Sequence, residues 1–530
     1  MNKSNNTKKA EYNKYNMAPL ASLKQHKNKV LNPFAPLGNL TDPASWLDEC
    51  VPNVLWAVIV VSSIERAEYL EIFKKLLQAA QRNVPKHKEL YVTHNFLSVA
   101  TDDEFDAIMK PVLDDKRLHK HLSVLLAIEA LPDRAHWARH LELKDNAAAF
   151  NFLAGAINDV FDHQSQKSTD IRWLKLMYML VCREQIKFAE NMKHLLEEFL
   201  GYPDVGDQAK VRPAIRAMEI GLRTIEFQIE GQEKNWPDDR EKMASHNSEL
   251  FWQPMFRNSP CFALSQYPEG TTGPQQISEE IAETAAALSN HYMQTIGTTK
   301  ADPKHEGVFG ISLYALHLSL SCSSSPSHNL VDGRMALRTI METFILLHFL
   351  VKEDNPTLWL QYRKYGAGQT KLAFLKYMKE ENLPDFIDLD ELHNIANEDR
   401  WMELQDIELG HWAGSNLRKM AEGAGVKDVY DKFYDWASGY VHGQWASARS
   451  TVYVNCLNPL HRFHLIPTPQ LMPMPSVLPD MCKLINRMLD DVSAMYPPFK
   501  KRLVAYKGMA PEMPDDKITV VEVANKPLND

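Results

Sequence analysis

The sequence predicts an all-α protein with two helical domains joined by an irregular connector. Three observations carry this. Apolar residues recur at spacings of three and four along most of the 530 residues, which gathers them on one face of successive helices. Alanine, leucine and methionine are abundant and glycine numbers only 21, as helices favour. Prolines and glycines crowd between Trp236-Pro237 and Gly270-Thr-Thr-Gly-Pro274, where an irregular chain is expected. A hydrophobic share of 45% suits a globular protein, and the length calls for more than one core.

Residues 1–32 are basic and rich in Asn and Lys, and read as a disordered tail. The N-terminal helical domain spans 33–235. Thr41-Asp-Pro-Ala-Ser-Trp46 is a helix start, with Asp42 or Ser45 as cap and Pro43 in the first turn. The unbroken apolar run 54–61 is deeply buried, as a helix or as a strand. Segment 65–82 follows it. Helical spacing then covers 103–113, 121–131, 133–143, 147–161 and 171–198, and Gly201-Tyr-Pro203 ends the last of these. In 212–230, Arg216, Glu219, Arg223, Glu226 and Glu230 stand three and four apart, which predicts an ion-paired, solvated face. The connector is 236–275. The C-terminal helical domain, 276–500, carries helices at 278–293, 308–321, 329–351, 357–379, 388–399, 417–422, 429–450 and 477–495. Its prolines between Pro459 and Pro479 exclude a helix and give an extended wrapping segment, 459–479. Residues 501–530 form a tail with a short strand near 517–525.

Composition narrows function. The net charge of -9 denies the chain the overall basic footprint of a nucleic-acid binder. The first residues are polar, with no apolar stretch of a signal peptide, and the six cysteines include no C-x-x-C pair. Reduced thiols in the cytoplasm are the expectation, with no metal ligands and no cofactor assigned. Segment 307–327 lacks Asp, Glu, Lys and Arg, but its serines and His317 suit a buried helix better than a membrane span. His136 and His140, and His119 and His121 near Asp114 and Asp115, read as surface scatter. The tryptophans read as core. Phosphate-binding loops, dinucleotide fingerprints and nucleophile elbows are missing from the sequence.

Two rows of polar residues stand out. Arg334, Arg338 and Glu342 lie one turn apart on an apolar helix, and Tyr434, Ser438 and His442 lie one turn apart on another, followed by Gly443, Trp445 and Arg449. Polar groups on core-facing helices are costly unless they pair. One reading is a structural clasp of Arg, Glu and His between the two helices. The other is a site, in which Arg334, Arg338 and Arg449 grip an anion or phosphate and Glu342 orients them. His442 then moves protons, beside Ser438 as a nucleophile and Tyr434.

The R-x-x-x-E helix followed by Y-x-x-x-S-x-x-V-H-G resembles a widespread prokaryotic family of all-helical proteins without an assigned function. Trp412 to Gly425 fits it too, the likeness covers about 280–450, and Ser45-Trp46 to Leu55-Trp56 is similar to N-terminal regions of related long versions. The resemblance implies a helical bundle from a bacterial source and a setting in phage defence or stress, and no reaction. A helical ribonuclease motif, Arg followed four to six residues later by His, occurs at Arg82/His87, Arg134/His140 and Arg240/His246; roughly two such matches are expected by chance. The expectation is therefore an interaction protein with a protein partner or a second copy. A helical effector acting on RNA is the alternative.

Overall fold

The computed structural model describes residues 24–26, 29–31, 45–83, 92–182, 193–233, 240–265, 275–398, 407, 412–413, 416–504 and 519–523. The fold is all-α with a few short strands, and the chain falls into two compact units. The first comprises Met1–Phe262, Cys456–His464 and Glu522–Asp530; the second comprises Ala263–Asn455 and Leu465–Val521.

In the first unit, Ser45 caps the entry turn Trp46–Cys50 by accepting the Asp48 N–H at 3.1 Å; Asp42 and Pro43 lie outside the described residues. Helix α1 (Leu55–Ser63) is the apolar run, buried from Leu55 to Val61. A helix wins over a strand here because it satisfies its own backbone in apolar surroundings. Helices α2 (Arg66–Asn83), α3 (Asp102–Leu113), α4 (Asn146–Phe161), α5 (Gln166–Met177), α6 (Lys193–Leu200), α7 (Gln208–Glu233) and α8 (Arg240–Asn258) follow. Thr101 starts α3 with a capping box closed by Glu104. The helices expected at 121–131 and 133–143 are shorter: Lys116–Leu122 passes into a tight turn, Ser123–Ala127, and only Arg134–Ala138 is helical beyond it. Asp133 explains the break, because its buried carboxylate is taken by His94 at 2.8 Å and by the Trp137 indole at 2.8 Å.

Three other expectations change. Where 1–32 read as a tail, β1 (Lys24–His26) and β2 (Lys29–Leu31) pair antiparallel. Where the connector was expected, α8 runs through Pro254, because Phe251, Trp252 and Met255 bury one stripe of it. And α7 is no solvated face: Val211, Ile215, Glu219 and Arg223 repeat every four residues and are all buried.

The second unit is built around α11. Its helices are α9 (Gln275–Thr295), α10 (Pro303–Ser323), α11 (Val331–Glu353), α12 (Pro356–Tyr377), α13 (Leu389–Ala396), α14 (Leu417–Ala424), α15 (Lys427–Val441), α16 (Trp445–Val452) and α17 (Leu478–Met495). Helix α11 packs against α10, α14, α15 and α17, and its Leu337, Ile340, Met341, Phe344, Ile345, Leu347 and Leu350 are buried. Gly333 lets its first turn approach the 326–329 turn; a Cβ there would stand 2.4 Å from the Ser327 carbonyl oxygen. The helix expected over 429–450 is interrupted at Gly443, whose φ of 58° ends α15 and starts α16. Strands β4 (Tyr453–Asn455) and β5 (Leu465–Pro467) form a short antiparallel pair, and β3 (Cys261–Ser265) pairs with β6 (Thr519–Val523). Among the described residues one segment, Trp46–Ser63, is long and apolar enough to cross a membrane, and 61% of it is buried in the protein.

Candidate functional site

Helices α11 and α15 lie against each other, so the two polar rows meet in part. The Arg338 guanidinium stacks over the Tyr434 ring, 4.1 Å from its centroid, and pairs with the Glu342 carboxylate one turn on. Arg338 is 8% exposed, whereas the Glu342 side chain is 42% exposed, so the pair runs from interior to surface. Arg334 donates from Nη2 to the Pro475 carbonyl at 2.5 Å. Burial lowers the pKa of Arg334, and the Tyr440 hydroxyl beside it opposes that. Arg334 Nη1 and Arg338 Nε are buried without an acceptor. Ser438 is buried on the same face of α15.

The imidazole does not join them. His442 is the residue that closes α15; its backbone N–H donates to the Ser438 carbonyl at 3.1 Å, and its ring is exposed to solvent. The expected contact with Glu342 is not formed, because the helix ends at Val441 before the row is complete. Arg449 sits on α16 and donates to the Asn455 side chain. Trp436 and Trp445, read from sequence as core, are 60% and 65% exposed. Arg338, Glu342 and Tyr434 thus come together; Arg334 lies beside Tyr440 and Pro475, Ser438 is buried one turn along from Tyr434, and His442 and Arg449 stand apart.

The scattered histidines have plain partners. His136 and His140 pair with Asp102 and Asp106 of α3 at 2.9 and 2.7 Å. Arg134 donates to the Leu126 carbonyl instead of sharing a site with His140. His87 and the side chains of Arg240 and His246 lie outside the described residues.

Two clusters escaped the sequence reading. The first is ionic. Glu219 is buried with Lys175 at 3.0 Å and Arg223 at 2.7 Å, and Arg172 lies 3.8 Å away with its guanidinium over Trp46. Burial alone would raise the Glu219 pKa; Lys175 and Arg223 outweigh it and hold the carboxylate well below its usual range.

The second cluster joins Cys261, Cys456, His461 and His464, whose ligand atoms all lie within 4.8 Å of one another. Cys261 Sγ is 3.4 Å from His461 Nδ1 and 3.2 Å from His464 Nε2, and Cys456 Sγ is 3.4 Å from His461 Nδ1. Burial, with the neighbouring His464 ring, pushes His461 down to about 4, so the ring is neutral at pH 7. Arg462 and Phe463, between the two histidines, both hold left-handed backbone, with φ of 52° and 51°. For side chains larger than glycine that costs about 1–2 kcal/mol each. The sequence assigned no metal ligands because it offered no C-x-x-C pair. The available signal was Cys456-x4-His461-x2-His464; Cys261 comes from far upstream.

Fold and sites together define an all-helical protein whose second unit is organised around a buried arginine-bearing helix. Residues 318–459 match a family described as a family of unknown function (DUF5677), a span that holds every candidate residue from Arg334 to Arg449. That fits the unassigned helical family the two rows resemble. No curated protein and no solved structure gives a significant match to the chain.

Proposed function

We propose that this chain is a helical interaction protein of the prokaryotic cytoplasm, a defence or stress component, in which Arg338, Glu342 and Tyr434 clasp two helices and an adjoining aromatic face binds a second copy. The carrying observation is the division of the polar rows. The guanidinium, carboxylate and phenol are packed together, while the one imidazole suited to proton transfer stands in solvent with no orienting partner. A general base needs a held geometry before its pKa matters. The free thiols of Cys50, Cys322, Cys456 and Cys482 support a reducing compartment.

The aromatic face carries the interaction reading. Trp436, Val441 and Trp445 are each exposed near the end of α15 and the start of α16, and large exposed aromatics of this kind mark interfaces. The exposed charges of α15 include Lys427 paired with Asp431, Lys432 paired with Asp428, and Asp435. They offer little cationic surface to a phosphate backbone. A second copy fits better, because it would bring its own exposed Trp436, Val441 and Trp445 to the seam, with exposed Asp435 and His442 beside them.

The clasp is tested against the ribonuclease alternative by two variants. Arg338→Ala should lower the unfolding free energy by about 1–3 kcal/mol, through the lost cation–π contact and a half-solvated ion pair. His442→Ala should stay within about 0.5 kcal/mol of wild type. Neither variant should change the fate of added RNA. RNA cleavage by the wild type that His442→Ala abolishes would overturn the reading.

A further inference from the structure

We infer that Cys261, Cys456, His461 and His464 form a closed, structural zinc site in the first unit. Zn²⁺ bound by thiolate at about 2.3 Å and imidazole at about 2.0–2.1 Å in a tetrahedron requires ligand atoms about 3.3–3.8 Å apart along its edges. The sulfur–nitrogen edge of that tetrahedron is about 3.5–3.6 Å, and the three sulfur–nitrogen distances, 3.4, 3.2 and 3.4 Å, lie close to it and slightly inside it with no ion present. Two sulfurs and two imidazole nitrogens in this geometry select zinc over the hard cations, which take oxygen. Two thiolates also balance the charge of the ion, so the loaded site is neutral where it is buried. Binding releases the two thiol protons to solvent, and no redox step is involved.

The surroundings orient the ligands. Ser259 Oγ donates to the Met255 carbonyl at 2.8 Å, and so it accepts from His461 Nε2, 3.0 Å away, and from Asn458 Nδ2 at 2.9 Å. The His461 proton is thereby fixed on Nε2, and the Nδ1 lone pair faces both sulfurs. This is the outer-shell contact that metal-bound histidines use. Leu457 N–H donates to the Phe262 carbonyl at 2.7 Å, which registers the Cys456 end of the loop beside the Cys261 strand. The left-handed pair Arg462-Phe463 then folds the chain back so that both rings aim at one point. Arg462 is held there by Asp48 at 2.5 Å and Glu249 at 2.8 Å. An open cleft of about 500 Å³, lined in part by Trp46, Phe161 and His163, reaches His461 and His464 and gives the ion a way in.

The test uses the full-length chain, purified reduced and without chelator from zinc-supplemented cells. Elemental analysis should find one zinc per chain. Replacement by Co²⁺ should give the strong visible absorption of a tetrahedral ion and a thiolate charge-transfer band. Cys456→Ser and His464→Gln should lose the metal, while Cys322→Ser should retain it. Ser259→Ala keeps all four ligands and should weaken zinc by about 10–100-fold in a chelator competition, which keeps the test informative even where a ligand variant fails to fold. A reduced wild-type chain that takes up neither zinc nor cobalt would leave only thiol–imidazole hydrogen bonds and overturn the site. Zinc held equally well by Cys456→Ser would overturn it too.

Discussion

Glu219 is 1% exposed and faces three cations, so its removal is felt as unbalanced charge more than as a lost contact. Glu219→Gln should cost about 3–5 kcal/mol at neutral pH, because Arg172, Lys175 and Arg223 stay buried without their carboxylate. The folded pKa of Glu219 is depressed below its ordinary 4.5. Its contribution is therefore complete above that value and is lost as pH falls toward the folded pKa. Thermal unfolding followed from about pH 6 to pH 3 should show the gap between wild type and Glu219→Gln narrowing below pH 4.5 without closing, since the folded carboxyl is still ionised there; a constant gap would contradict the assignment. Sequence spacing showed that Glu219 and Arg223 meet, but not which way they face. Ion pairing every four residues looks the same on a buried stripe and on a solvated one. For the same reason Arg338 and Glu342 were legible. The exposure of His442 was not, since it depends on where the helix stops.

Helices were the legible level, because apolar spacing sets both their existence and their buried face. The misreadings came where a tertiary contact overruled local preference. The Asp133 carboxylate, drawn to His94 and Trp137, shortens the segment before 143. Burial of Phe251, Trp252 and Met255 carries α8 through Pro254. The metal-type cluster was illegible for another reason: one of its four residues comes from a different stretch of chain. Glycines test the packing at this scale. Gly333→Ala should destabilise by about 1–3 kcal/mol, since its Cβ meets backbone that must move. Gly155→Ala, mid-helix in α4 with nothing within 4 Å of the added carbon, should stabilise by up to about 1 kcal/mol. Paired urea titrations of both variants check the signs.

At the scale of the molecule, each unit hides polar arrangements that sequence periodicity only half revealed. In the first, a buried ion network and a Cys/His cluster hold segments that lie far apart in sequence. In the second, α11 is clasped to α15, and the aromatic end of α15 and α16 is left facing outward. The proposed division of labour is that the polar rows keep the helices in register and the tryptophans make the contact that matters to the cell. Sedimentation equilibrium of the intact chain tests this most directly. Wild type should approach twice the 60.7 kDa chain mass as concentration rises, and Trp436→Ala/Trp445→Ala, with unchanged helix content, should remain at the mass of one chain. A wild type that stays monomeric at every concentration, or a double variant that associates as strongly, would contradict the account.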